Sequence, residues 1–237
     1  QEFQKMYDPA TLPLPDNFAP EHDIDYGIRG MRDEVLAPCP RTPGIVREHL
    51  ADYYAMISHL DCQVGRVTSA LKEKGLYDNT IFVFAGDNGL ALGQHGLFGK
   101  QNGYEHSIRV PLIFAGPGIP EGKTTAAYTY LYDIYPTLCE LLGIDPPSSV
   151  EGVSQMPVIR EETDSLRETM YAAYTDRLRV AKDERFKLIE YAWDGMRATQ
   201  LFDLDDDPRE THNLADDPGH ARTVSRLRQV MRDTRDE

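Results

Sequence analysis

The chain has 237 residues, 41% of them hydrophobic, enough for one large domain or a domain with a small appendage. Its 25 basic residues against 39 acidic ones give a net charge of −14, which argues against nucleic-acid binding, and no stretch approaches the roughly 20 apolar residues of a membrane span. Three cysteines, Cys39, Cys62 and Cys139, are an odd count that excludes a fully paired disulfide framework; Cys62 and Cys139 lie in apolar helical patterns and are expected as buried thiols.

The chain opens on Gln-Glu-Phe-Gln, without an initiator Met or the regions of a signal peptide, and is expected to be processed or a fragment. Residues 1–45 are rich in Pro, Asp and Gly and poor in periodicity. They predict an irregular segment wrapped over a surface, too long for an idle loop. Over 46–74, Leu50, Tyr53, Tyr54, Ile57, Leu60, Val64, Val67 and Leu71 recur at helical spacing and Gly75 supplies the stop. Residues 80–86, TIFVFAG, form a continuous apolar run that suits a strand buried on both faces, as in a parallel sheet. Helix followed by such a strand is half of a right-handed crossover.

A second apolar strand is expected at 110–115, closed by Gly116-Pro117-Gly118. Residues 133–143 predict a short helix with Asp133 as N-cap, Pro136 in the first turn and Gly143 at the end, and 145–157 read as a linker. From 169 onward the segments TMYAAY, RLRVAK, RFKLIEYA and ATQLFDL are short and partly alternating, which predicts four antiparallel strands. A polar helix over 219–235 carries Val224, Leu227, Val230 and Met231 on one face. The expected fold is α/β: a mostly parallel sheet flanked by helices over 1–160, then a small antiparallel sheet with a terminal helix over 161–237.

The chemistry concentrates between Thr80 and Pro111. Asp87 and Asn88 end the apolar strand and precede Gly89, which suits oxygen ligation of a hard divalent cation; the plain alternative is a common turn tripeptide. Lys100, in a glycine-bearing loop, can neutralise an anionic ester oxygen as a point charge, or stand in solvent. His95 is flanked by Gly93 and Gly96, so its imidazole is expected to be placed rather than packed, able to donate to a substrate oxygen or leaving group. His106 and Arg109 are candidates for substrate contact, Arg109 equally for a carboxylate beneath the sheet; Glu105 is read as an orienter of Lys100 or another cation. His49 and His59 read as ordinary helix-surface residues, and Lys182, Arg185 and Lys187 as solvated or paired.

Taken together, DCQVGRVTSALKEKGLYDNTIFVFAGDNG, LGQHGLFGKQNGYEHSIRVPLIFAGPGI, DIYPTLCELLGI and RLRVAKDERFKLIEY…QLFDLDDDPRETHNLADDP resemble the type I sulfatase family of the alkaline phosphatase superfamily. The closest look is to bacterial and iduronate-sulfatase-like members. The resemblance implies sulfate-ester hydrolysis, with a carbohydrate ester as substrate by analogy. It implies a divalent cation, usually Ca²⁺ with Mg²⁺ as the alternative, on Asp87 and Asn88, with Lys100 on the sulfate and His95 near substrate. Family members are often exported to the periplasm or secreted.

The family's nucleophile, a formylglycine made from Cys or Ser in a Cys/Ser-x-Pro/Ala-x-Arg motif, has no match here. Cys39 is followed directly by Pro40 and Arg41, and neither Cys62 nor Cys139 fits. The resemblance therefore implies the carboxyl-terminal portion of a sulfatase, inactive alone. Formylglycine would lie in an N-terminal half or partner chain, whose docking would cover the exposed apolar faces of the 80–86 strand. Two alternatives stand beside this: a phosphodiester or phosphonate monoester hydrolase on the same scaffold, and a non-catalytic remnant.

Overall fold

The computed structural model describes residues 2–236. Helix α1 spans Pro43–Glu73, three residues earlier at its start than the apolar periodicity indicates. The Thr42 hydroxyl accepts from the Ile45 N–H at 3.4 Å and Pro43 takes the first helical position, where its missing donor costs nothing. Val46, Leu50, Ala51 and Ala55 are buried, but Met56, Ile57, Leu60, Val64 and Val67 are 41–63% exposed. The apolar stripe thus runs the whole helix while only its first half meets a core. Cys62 lies on this open second half and is exposed, contrary to expectation; Cys139 is buried.

Strand β1 (Phe82–Ala85) follows, then the short helix α2 (Glu105–Ile108) and strand β2 (Leu112–Ala115). The two strands pair antiparallel, Phe82 opposite Ala115 and Ala85 opposite Leu112. No strand pair among the described residues is parallel. An apolar run records burial, not direction, and the chain between Gly86 and Pro111 turns back on itself, closing with Gly86 N–H to Pro111 C=O at 3.1 Å. Phe84 and Ile113 keep 39% and 55% exposure, so this ribbon presents an open apolar face, as expected of it.

Helix α3 (Ile134–Leu142) ends at Gly143 in the left-handed region (φ 65°). Asp133 precedes it but caps nothing in it. Its buried carboxylate is held instead by the N–H groups of Tyr130 and Val153 and by a bidentate Arg167 at 2.7 and 2.8 Å. The expected linker at 145–157 runs into a further short helix, α4 (Met156–Ile159).

The second unit is a meander: β3 (Met170–Tyr174), β4 (Leu178–Lys182), β5 (Phe186–Trp193) and β6 (Met196–Asp203), all antiparallel. Asp194 and Gly195 join β5 to β6 with φ of 46° and 80°, the left-handed pair of a two-residue hairpin. The sheet is covered on both faces. Ala181, Leu188 and Leu201 pack against Val224, Leu227 and Met231 of α5 (Ala221–Asp236). On the opposite face Leu178, Val180, Ile189 and Tyr191 pack against Tyr26, Ile28, Ala91, Leu97 and Tyr104. That second contact makes the sheet the floor of the loop after β1.

The amino-terminal segment is irregular but tied down. Arg41, 4% exposed at its side chain, donates to the Glu34 carboxylate at 2.5 Å and to the carbonyls of Glu34, Ala37 and Gly96. The same carboxylate accepts the Phe98 N–H at 3.0 Å. Removing Arg41 would leave a buried anion with one backbone donor. Arg41→Ala is expected to destabilise the chain by about 3–5 kcal/mol in urea unfolding; a loss below about 1 kcal/mol would show that the pair is not a structural tie.

Candidate functional site

The loop from Asp87 to Tyr104 has little regular structure, and its conformation is imposed by contacts. Gly89 N–H donates to Ser107 C=O at 3.0 Å, and a Cβ on Gly89 would stand 1.9 Å from the His106 carbonyl oxygen. Only glycine lets the Asp-Asn-Gly turn lie directly on α2. Ala91 N–H bonds Gly99 C=O at 2.8 Å and Gly93 N–H bonds Leu97 C=O at 2.9 Å, so the loop folds over as a narrow ribbon with Lys100 at its end. The Gln101 side chain donates to Asp33 at 3.0 Å and Tyr26 donates to the Gln101 carbonyl at 2.8 Å.

This places three of the expected residues together. Asp87 (85% exposed) and Asn88 sit at the carboxyl end of β1, and the Lys100 ammonium lies 3.7 Å from the Asp87 carboxylate. The Asn88 N–H donates to Asp87 Oδ1 at 2.7 Å. Beside Lys100 opens a cleft of about 260 Å³ bordered by Asp33, Leu36, His49, Leu90 and Phe98. His49 is therefore more than a helix-surface residue: its ring stands edge-on to Phe98 at 4.9 Å.

Asp87 and Asn88 supply two hard oxygen donors in an open position, the donor chemistry Ca²⁺ or Mg²⁺ takes. Two ligands are fewer than either ion needs. Among the described residues no group of three or more His, Cys, Asp or Glu side chains is arranged to hold a metal.

The histidines behave differently from the expectation for His95. Its ring is packed, not free: it stacks on Tyr104 at 3.8 Å and 8°. His95 Nε2 lies 3.0 Å from Asn17 Nδ2, a hydrogen-bonding contact that fixes the ring's orientation. The flanking glycines serve close approach instead. A Cβ on Gly96 (φ 74°) would lie 2.2 Å from the Glu21 backbone. His106 stacks beside both rings, 5.6 Å from Tyr104 and 5.9 Å from His95, and its Nε2 is buried without a hydrogen-bond partner among the described residues. His22 joins them, edge-on to Tyr104 at 5.8 Å. Arg109 is exposed and makes no ion pair among the described residues, so it does not pair with a carboxylate beneath the sheet.

Glu105 binds cations other than Lys100. Its carboxylate receives Lys182 at 2.9 Å and Lys187 at 3.3 Å. Burial raises its pKa, but the two ammonium groups outweigh that and hold it below the usual glutamate value. Lys187 is fully buried and also pairs with Glu210, itself 3% exposed. Burial lifts the Glu210 carboxyl above its usual range against the pull of Lys187. Neither Lys187 nor Glu210 stands out by motif. The available signal is positional: Lys187 shares the inward face of β5 with Ile189 and Tyr191, where alternation calls for an apolar residue.

Three comparisons with known proteins bear on this arrangement. Residues 2–144 match the family described as Sulfatase, and residues 93–237 match that described as N-sulphoglucosamine sulphohydrolase, C-terminal. The chain belongs to the sulfatase family. It is 35% identical over 191 residues to an arylsulfatase of Clostridium perfringens, covering 76% of this chain and 39% of that protein. Among solved structures it is similar to the phosphonate monoester hydrolase from Silicibacter pomeroyi (TM-score 0.83, 28% identity, 98% of this chain and 52% of that one). It is also similar to a protein solved in complex with its substrate D-glucosamine-2-N,6-O-disulfate (TM-score 0.72, 30% identity, 81% of this chain and 41% of that one). The fold is thus that of a type I sulfatase of the alkaline phosphatase superfamily. The chain spans about two fifths of the length of the curated relatives it matches.

Burial lowers the pKa of His95 from 6.5 to about 4 and that of His106 from 6.5 to about 3, each aided by neighbouring histidine and Lys187 charge. Both rings are neutral when folded at pH 5, whereas the unfolded chain protonates them as pH falls through 6.5. The unfolded state then binds more protons, so stability falls with falling pH between 6.5 and about 4. Replacing His106 by Gln is expected to flatten this dependence by close to one proton, about 1.4 kcal/mol per pH unit. Urea unfolding at pH 7, 6, 5 and 4 checks it; an unchanged slope would contradict the neutral buried ring.

Proposed function

We propose that this chain carries the cation-and-lysine part of a sulfatase domain that hydrolyses sulfate esters, with a sulfated carbohydrate as substrate class. The observation that supports this most is the meeting of Asp87, Asn88 and Lys100 at the end of β1, in a chain of the sulfatase family. Asp87 and Asn88 would hold a divalent cation, Ca²⁺ before Mg²⁺. When bound, that cation supplies positive charge beside the sulfuryl oxygens. Lys100 adds a point charge on the same side, and a preorganised cation opposite developing negative charge is the largest single contribution most hydrolases have. In this reading Arg109, exposed and without an ion-pair partner among the described residues, meets the anionic substrate. His95 and His106 shape the wall of the site rather than transfer protons, since His95 Nε2 is engaged by Asn17 and both rings are packed against Tyr104.

The attacking group is not in this chain by motif, because no cysteine or serine here stands in the formylglycine pattern. The reading therefore includes a segment outside residues 1–237, or a partner chain, that brings formylglycine and the remaining cation ligands. The open apolar surface of α1, β1 and β2 is the face on which such a segment would pack.

A second reading keeps the site and changes the ester. The likeness to the Silicibacter pomeroyi phosphonate monoester hydrolase favours testing it, because a Lys and a cation held by the oxygen pair would take either anion. The experiment uses the complete sulfatase domain and competes an aryl sulfate against an aryl phosphonate monoester. The proposal expects the sulfate to be preferred, Lys100→Ala to lower kcat/KM by roughly 10²- to 10³-fold, and residues 1–237 alone to show no turnover. Preference for the phosphonate would move the assignment to the second reading. Activity of 1–237 alone would refute the external nucleophile.

A further inference from the structure

Helix α2 is one turn long and could not hold its place by its own hydrogen bonds. It is fixed by the second unit. The Glu105 N–H at its start donates to Glu210 at 2.8 Å, and the Glu105 carboxylate lies between Lys182 and Lys187. These lysines face each other in the β4–β5 register, a like-charge pair that the acidic residues neutralise. The turn that carries Glu210 reaches the site a second time. Asn17 Nδ2 bonds both the Arg209 carbonyl and His95 Nε2, each at 3.0 Å. Glu210 itself has φ of 58°, a left-handed conformation unusual for a non-glycine residue. On its inner side α2 presses its backbone against Gly89, next to Asp87 and Asn88.

A continuous path of contacts therefore runs from Glu210 through Glu105 and α2 to Gly89, and a parallel one from Arg209 through Asn17 to His95. We propose that Glu210 is a positioning residue of the site: the Asp207–Glu210 turn of the second unit sets where α2 lies and so where Asp87, Asn88 and the loop to Lys100 stand. Glu210 acts through Glu105 and touches no substrate. The proposal rests on the functional reading above for its kinetic consequence, but its structural content stands apart from it.

The test has two arms. In the complete sulfatase domain, Glu210→Gln should lower kcat by roughly 10- to 100-fold with KM within about twofold, since a displacement of order 1 Å at a reacting centre has that effect. Glu210→Asp, which keeps the charge, should recover part of the loss. A fall in activity that only tracks the unfolded fraction across temperature, or that Glu210→Asp does not recover, would overturn the proposal. The second arm needs no turnover: ring-nitrogen NMR of His95 and His106 in residues 1–237, wild type against Glu210→Gln. Shifted ring resonances in a variant that still melts cooperatively support the coupling, and unchanged ones overturn it. Because Lys187 would lose a buried partner, the double variant Lys187→Met/Glu210→Leu serves as a folded control. It should still show the altered histidine resonances, and wild-type resonances there would also overturn the proposal. If the wild-type domain hydrolyses no sulfate ester, the functional reading fails while the NMR arm still decides this one.

Discussion

The site depends on one constraint: a loop without regular structure is pressed onto the face of a separate antiparallel sheet. Gly103 shows how close the contact is, since a Cβ there would stand 2.7 Å from Val180 and 3.3 Å from Ile189. Tyr104 lies beneath the loop, its hydroxyl donating to Gln200 at 2.9 Å and its ring stacked under His95. Apolar contact supplies the adhesion, and the buried Lys187 with Glu105 and Glu210 supplies register. Such a charge cluster contributes less to net stability than its Coulomb attraction suggests, because desolvation offsets it. Its value lies in specificity: an acidic side chain anywhere else would leave Lys187 buried and unpaired.

This arrangement explains why the two units act as one. The first carries Asp87, Asn88 and Lys100; the second packs beneath the loop that joins them. The amino-terminal segment closes the loop from the other side through Glu34, Arg41 and Asn17. Behind the loop His22, His95 and His106 pack around the Tyr104 ring as one aromatic cluster.

Much of the fold was legible in the residues. Apolar spacing located α1, β1, β2 and α3, alternation located the four-stranded meander, and Val224, Leu227 and Met231 marked the inner face of α5. What composition could not convey was direction and partnership. An apolar run looks the same in a parallel or an antiparallel sheet, so the β1–β2 pairing was missed. Cys62 and the second half of α1 are apolar by sequence and open in the structure, because periodicity reports that a face seeks a partner without naming it. In the site, Asp87, Asn88 and Lys100 were readable as an oxygen pair and a cation on one stretch of chain. His95 was misjudged, because glycines on either side signal close backbone approach as readily as a free ring. Lys187 is readable only as solvated or paired, and Glu210 and Asn17 carry no local signal, because their contacts reach up to 192 residues away in sequence.

The central claim is that the oxygens ending β1 and the Lys100 ammonium form one binding site for a cation and an oxyanion. A crystal structure of the complete sulfatase domain with Ca²⁺ and sulfate tests it most directly. The account predicts Ca²⁺ within about 2.3–2.6 Å of oxygens of both Asp87 and Asn88, with the sulfate between that ion and Lys100. Ca²⁺ bound elsewhere, or a sulfate out of reach of Lys100, would contradict it.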